Sequence, residues 1–320
     1  MAEVILFGEP MVLFTGLEYG ALKDVNNYRK SLAGAELNVC IGLTRLEHKT
    51  AYITKLGAHD PFGAFIYEGL QKEKIDVSNV SFDEENLTGF MLKAKTKSGD
   101  PDTFYFRKNS AASHIGPADI EKVSFDGVHH VHVTGIPCAL SESCLAASER
   151  LIERAKANGV YVSFDPNLRP SLWKDQETMA KVLNDIACRC DMVMPGVSEG
   201  KILTGYDTPE QIADYYLAKG VKDVVIKTGR TGAYVENASV RAQVPSFPVE
   251  KFAKVVDTVG AGDGFAVGVI SGRLENLPLQ EAAMRGNVIG GLQLTVPGDN
   301  EGLPTRSELQ NAIERGKAFQ

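Results

Sequence analysis

The residues best equipped for chemistry sit in one run, residues 255–270, which reads VVDTVGAGDGFAVGVI. Gly260, Ala261 and Gly262 stand there just ahead of an apolar helix built from small side chains. The first N–H groups of a helix have no partner within it, and the helix dipole adds partial positive charge at that end. Such a start binds anions, phosphate above all. Glycine removes the Cβ that would hold a phosphate away from the backbone. Asp263 falls in the same turn. A carboxylate repels bound phosphate, so its place here points to a reaction: taking the proton from a hydroxyl that attacks a γ-phosphate. The same residues also read as a plain glycine turn with Asp263 as the helix N-cap. Local sequence leaves both readings open.

Other motifs fall away. A dinucleotide fingerprint needs a third glycine where Phe265 stands, which disfavours a dehydrogenase. A Walker loop needs Ser or Thr after Gly-Lys, but Gly200-Lys201 continues with Ile202 and Gly316-Lys317 with Ala318. His130 and His132 share one face of a strand while His129 points away. With no carboxylate nearby in sequence, they read as core or strand-end histidines. The five cysteines (Cys40, Cys138, Cys144, Cys188 and Cys190) contain no CxxC pair, which fits reduced thiols better than disulfides or zinc.

The chain must supply elements that place these groups. Its 320 residues suffice for a sizeable core, and the net charge of −7 argues against a nucleic-acid partner while leaving room for local arginines to hold anions. Residues 1–10 read as a first strand with no signal leader, and no apolar run approaches the roughly 18 residues of a membrane helix. A cytoplasmic protein without a membrane partner is expected. Strand patterns over residues 4–8, 50–57, 129–135, 159–167, 191–196 and 223–229 alternate with helical patterns over 35–46, 61–73, 141–158, 176–187 and 210–219. This rhythm predicts an α/β fold with a mostly parallel sheet, whose ligands collect at the carboxyl ends of its strands. Residues 10–32 and 80–110, including the turn at 98–102, are strand-like and read as a small β-lid on one domain spanning 1–320.

The segment DTVGAGDGF, residues 257–265, resembles the C-terminal signature of the PfkB/ribokinase family of carbohydrate kinases, and residues 32–63 resemble its N-terminal signature. The resemblance covers nearly the whole chain. It implies a ribokinase-like fold, with helices on both faces of a central sheet, a β-lid over the sugar, ATP near the C-terminal half, and a dimer formed through the lids. It makes Asp263 the catalytic base and Gly260, Ala261 and Gly262 the hole for the transferring phosphoryl group. KTGRTGA, residues 227–233, resembles the nucleotide loop and assigns Lys227, Gly229 and Gly232 to ATP. Asn287 falls in the helix that lines the adenine pocket in the family, against the reading of a plain surface amide. Glu199 matches the acid of an NxxE motif that organises Mg2+ indirectly, although Gly196 replaces the asparagine; a solvated helix-start glutamate is the alternative. Some relatives bind K+ near the aspartate that opens the signature, here Asp257.

Substrate follows from further resemblances. FYFRKNSAAS, residues 104–113, is similar to a segment of 2-keto-3-deoxygluconate kinases, in which Arg107 would grip a carboxylate and Tyr105 would offer a hydroxyl and an apolar face. Arg169 follows a strand in DPNLRPSLW as a second cation, and Asp299 in GDNEGLP would meet sugar hydroxyls. Gly34 would allow close backbone approach to the sugar. Leu13 stands where many ribokinases carry Asp, which disfavours ribose and nucleosides. The resemblance thus implies phosphoryl transfer from Mg-ATP to the 6-hydroxyl of 2-keto-3-deoxygluconate. Fructokinases share the DPN-R segment, so a ketose is the rival substrate, and a catalytically silent sugar sensor is the rival from another class. The alternatives for single residues are an exposed lid charge for Arg107, a local pair with Asp165 for Arg169, lid packing for Tyr105 and a turn role for Asp299.

Overall fold

The computed structural model describes residues 1–96, 102–251, 253–256 and 259–317. Alternating side chains on buried strands divide its apolar residues between two cores. Ile5, Phe7, Val131, Val133, Val162 and Phe164 enter one, and Val4, Leu6, Tyr52, Leu56, Val225 and Val235 enter the other. A strand buried on both faces reads as a continuous apolar run, as VILF does.

In chain order the strands are β1 (Val4–Phe7), β2 (Met11–Tyr19), β3 (Tyr28–Ala33), β4 (Thr50–Gly57), β5 (Val80–Asp83), β6 (Phe90–Lys95), β7 (Thr103–Phe106), β8 (His130–Thr134), β9 (Tyr161–Asp165), β10 (Met192–Val193), β11 (Asp223–Lys227), β12 (Ala233–Asn237) and β13 (Arg241–Val244). Nine of them form one sheet in the order β13-β12-β11-β10-β9-β8-β1-β4-β5. It is parallel from β11 to β5 and ends in an antiparallel β11-β12-β13 edge. The helices Ala35–Arg45, Ala261–Leu274 and Leu279–Gln293 cover one face, while Glu142–Ala157 and Gln176–Ala187 cover the other. This is the ribokinase-like α/β architecture. The chain adds β4 and β5 on one side of β1 and β8 to β11 on the other, so β1 marks a switch point with a crevice at its carboxyl end.

The remaining strands form a separate sheet in the order β3-β2-β6-β7. It is fastened to the body by aromatic side chains. Phe62 of the helix Pro61–Lys72 lies 5.5 Å from Phe14 and 5.3 Å from Phe90, and Phe90 stacks on Phe106 at 4.5 Å. Two expected boundaries change. β5 belongs to the large sheet, because β4, the helix Pro61–Lys72 and β5 make a βαβ unit; the small sheet therefore resumes at Phe90. The strand expected over 191–196 is only Met192–Val193, because Pro195 has no N–H to give and Gly196 already caps the helix Val197–Thr204. In the turn at 98–102 only Asp102 is among the described residues. Among the described residues no helix is long and apolar enough to cross a membrane.

Candidate active site

A cleft of about 280 Å³ opens at the carboxyl ends of the central strands. It is lined by Met11, Met91 and Tyr105 of the small sheet, by the loop after β9, by the end of β11, and by Val259, Gly260, Gly262 and Asp263. Asp263 sits in its wall as the third residue of the helix Ala261–Leu274. The cap position belongs to Gly260, whose φ of +77° suits glycine and whose Cβ would lie 2.3 Å from the Asp299 carbonyl. Asp263 is therefore not the N-cap. Gly262 lines the cleft, and nothing in the protein lies within 4 Å of where its Cβ would stand. Contacts within the chain do not demand glycine there, which fits a position reserved for close approach by a ligand.

The Asp263 carboxylate accepts a hydrogen bond from Asn38 Nδ2 at 2.8 Å. Burial pushes its pKa up to about 7; Asn38 opposes the rise, Asp165 adds to it, Arg169 opposes it and Glu36 adds to it. Glu36, fully buried on the same helix as Asn38, is itself raised to about 7 by burial, against the hydrogen bond it accepts from the Thr134 hydroxyl. The cleft thus holds a carboxyl able to gain or lose a proton near neutrality, as a general base requires.

Behind it, Lys227 Nζ lies 2.7 Å from Asp165 Oδ2 and 3.8 Å from Glu199 Oε2. Burial raises the Asp165 pKa, with Lys227 opposing. Glu199 accepts from the Leu168 N–H at 2.9 Å and the Gly196 N–H at 2.7 Å, so it clasps two loops and is no freely solvated glutamate. Arg169 does not pair with Asp165. Its Nη1 donates to the carbonyl of Leu168 at 2.9 Å, curling over its own loop. Asn167 reaches the turn with φ +39°, a left-handed conformation that asparagine tolerates.

Arg107 is buried, so it is no exposed lid charge. Its Nε donates to Glu9 Oε2 at 2.6 Å, and Ser110 donates to the other oxygen of that carboxylate. Tyr105 is exposed on its strand, lines the cleft and lies with its ring 5.8 Å from the Arg107 guanidinium. Asp299 is buried at the cleft wall, 3.5 Å from Lys93 Nζ. Gly34 lines the cleft with φ +134°, and its Cβ would stand 2.8 Å from the Glu9 carbonyl. The close approach that demands glycine is thus to the chain at Glu9.

Not every expected residue joins this group. Gly229 and Gly232 take positive φ in the turn between β11 and β12, outside the cleft lining. Asn287 donates to the Pro245 carbonyl at 2.8 Å and ties its helix to the chain after β13. Asp257 lies outside the described residues. Sequence reasoning missed Glu9, Glu36, Asn38, Lys93 and Asn300. Glu9, Glu36, Asn38 and Lys93 show only a polar residue beside small or apolar neighbours, and Asn300, between Asp299 and Glu301, shows no local signal at all. His130 and His132 are core residues, both hydrogen-bonded to Ser163 Oγ at 2.7 and 2.8 Å.

Among the described residues no three His, Cys, Asp or Glu side chains gather to hold a metal, and Lys227 already bridges Asp165 and Glu199. That donor set fits a cation held chiefly by nucleotide phosphates and water, as Mg2+ is in phosphoryl transfer, with Glu199 at one remove.

Residues 1–306 match the family model described as pfkB family carbohydrate kinase. The chain is 48% identical to 2-dehydro-3-deoxygluconokinase of Bacillus subtilis, over 97% of this chain and 95% of that one. Among solved structures it is similar to a PfkB protein from Polaromonas sp. JS666, with TM-score 0.89, 42% identity and coverage of 97% and 99%. It is also similar to a putative ribokinase II from E. coli in complex with ATP and Mg2+, with TM-score 0.87, 27% identity and coverage of 98% and 100%.

Proposed function

The chain belongs to the pfkB family of carbohydrate kinases, and from that premise we propose that this ATP-dependent sugar kinase phosphorylates the 6-hydroxyl of 2-keto-3-deoxygluconate. The observation that carries the reading is Asp263: a carboxyl with its pKa raised to about 7, in a cleft wall, third residue of a helix capped by Gly260. The substrate rests on the 48% identity to a 2-dehydro-3-deoxygluconokinase and on the cations Arg107, Arg169 and Lys227 along one cleft.

In this mechanism Asp263 takes the proton of the 6-hydroxyl as that oxygen attacks the γ-phosphorus. The bond from phosphorus to the β,γ-bridging oxygen breaks, and ADP leaves with its electron pair. Backbone N–H groups of Gly260, Ala261 and Gly262 hold the charge on the transferring group. Glu199 would help hold Mg2+ at one remove, and the ion would supply neutralisation of phosphate charge. Glu9 engages Nε and Nη2 of Arg107, and a guanidinium has five donors, so Nη1 is left for the sugar carboxylate. Asp299 and Tyr105 meet sugar hydroxyls. Lys227, Gly229 and Gly232 begin the loop beside the nucleotide, and Asn287 buttresses it.

We further propose that residues 1–320 act as one domain, with the small sheet as a lid that excludes water. Its exposed Leu17, Tyr19, Phe104 and Phe106 suit a second copy of the chain in the cytoplasm. The test is turnover with Mg-ATP on keto-deoxy sugar acids and ketohexoses side by side. kcat/KM for 2-keto-3-deoxygluconate should exceed that for fructose by about a hundredfold or more. Equal values, or the reverse order, would return the assignment to fructokinase.

A further inference from the structure

We infer that Asn300 is a positioning residue for the base: it fixes the side-chain amide of Asn38 so that Asn38 can only donate to Asp263. The inference rests on the proposed role of Asp263. Asn300 Nδ2 lies 3.0 Å from the Leu32 carbonyl oxygen, which can only accept. That contact settles which end of the Asn300 amide faces inward. The same nitrogen lies 3.0 Å from the Asn38 side chain, so the atom meeting it must be the acceptor, Oδ1. A half-turn of the Asn38 amide would set two NH₂ groups against each other. Nδ2 of Asn38 is therefore left facing Asp263 Oδ2, at 2.8 Å.

Both amides are buried, so water offers neither an alternative partner. Asn300 is itself held from behind. Its carbonyl accepts from Arg45 Nη1 at 2.8 Å, and Arg45 pairs with Glu73 at 2.7 Å. Its N–H donates to Glu301 Oε2 at 3.2 Å. A donor aimed at Asp263 favours the charged carboxylate. It works with Arg169 and Lys227, which also favour the charged form, and against burial, Asp165 and Glu36, which favour the protonated one. Without Asn300 to hold it, the Asn38 amide can present its oxygen, and the base would then stay protonated at neutral pH.

The test is the pH dependence of kcat/KM for the sugar in the wild type, Asn300→Asp and Asn300→Leu. Aspartate keeps the shape but turns the donor into an acceptor, which invites Asn38 to rotate. Its acid limb should move up by about one pH unit, giving about a tenfold loss near pH 6.5 that recovers by pH 9, with KM for ATP unchanged. Leucine releases Asn38 without inverting the partner and should move the limb the same way by less. An unmoved limb in variants that fold, judged by thermal unfolding, overturns the inference. Failure of both variants to fold would also count against it, since it assigns Asn300 an orienting role and not a structural one. Asp263→Asn separates the two readings. Retained turnover in that variant sinks the base and the relay together. A dead Asp263→Asn beside an unmoved Asn300→Asp limb sinks the relay alone.

Discussion

Replacing Asp263 by Asn should destroy activity and stabilise the protein, and the second effect should depend on pH. The carboxyl is raised from an ordinary 3.8 to about 7, chiefly by burial. A folded-state pKa above the unfolded one means that the folded protein binds the extra proton between those values. Stability from this group is thus present at low pH, declines as pH rises from about 4 to 7, and is gone above it. The full displacement corresponds to a ceiling of about 4 kcal/mol. The side chain is only half-buried, so solvent screens part of this, and about 2 kcal/mol is the working figure. For a chain of 320 residues that amounts to about 3 °C in Tm. The amide introduced by Asp263→Asn would still accept from Asn38 Nδ2 without carrying a charge. The assay is thermal unfolding of both proteins at pH 4.5 and pH 8, with turnover and KM for ATP measured at pH 8. The variant should melt higher at pH 8, show little difference at pH 4.5, and lose at least about a hundredfold in kcat with KM for ATP kept. A variant that melts lower at pH 8, or turns over at near-normal rate, would refute the reasoning.

Arg107→Ala should raise KM for the acidic sugar by about tenfold or more and for fructose far less. It should also destabilise the protein by about 3 kcal/mol, because Glu9 loses the partner of a buried charge. Adding Glu9→Gln should recover Tm but not KM, and a double variant that recovers both would remove Arg107 from the sugar site. Gly34→Ala should lower Tm by several degrees, since a Cβ at φ +134° and 2.8 Å from the Glu9 carbonyl forces the chain apart. An unchanged melt would show that the crossing at Glu9 relaxes freely.

The large sheet was legible because buried parallel strands announce themselves. VILF is an apolar run of strand length, TAYITKLG and HVHVT are of strand length with β-branched or aromatic residues at alternate positions, and the helices between them carry 3.6-residue periodicity. The Val80–Asp83 strand reads in sequence as part of the small sheet for a physical reason. Its neighbours in sequence are lid strands, but its partner in space is β4, reached across a helix. The β12–β13 hairpin leaves little pattern in sequence because its outer strand β13 is short and mostly exposed, and the helix Arg306–Lys317 leaves little because it buries only Leu309, Ala312 and Gly316. In DMVMPG the strand pattern was real, but proline ended it early.

The site divides in the same way. Gly260, Gly262 and Asp263 could be found because a helix start, its glycines and its acid are neighbours in the chain. Arg107 was found as a cation, yet its partner Glu9 was not, because the pair is 98 residues apart. Asn38 and Asn300 are separated by 262 residues, and each alone is an ordinary amide. What gives the pair its direction is a third group, the Leu32 carbonyl, whose identity as an acceptor is common to every residue and so leaves no mark in composition or spacing. Local sequence can therefore point to the carboxyl proposed to exchange the proton. The groups that set its readiness to do so become visible only once the chain has folded around them.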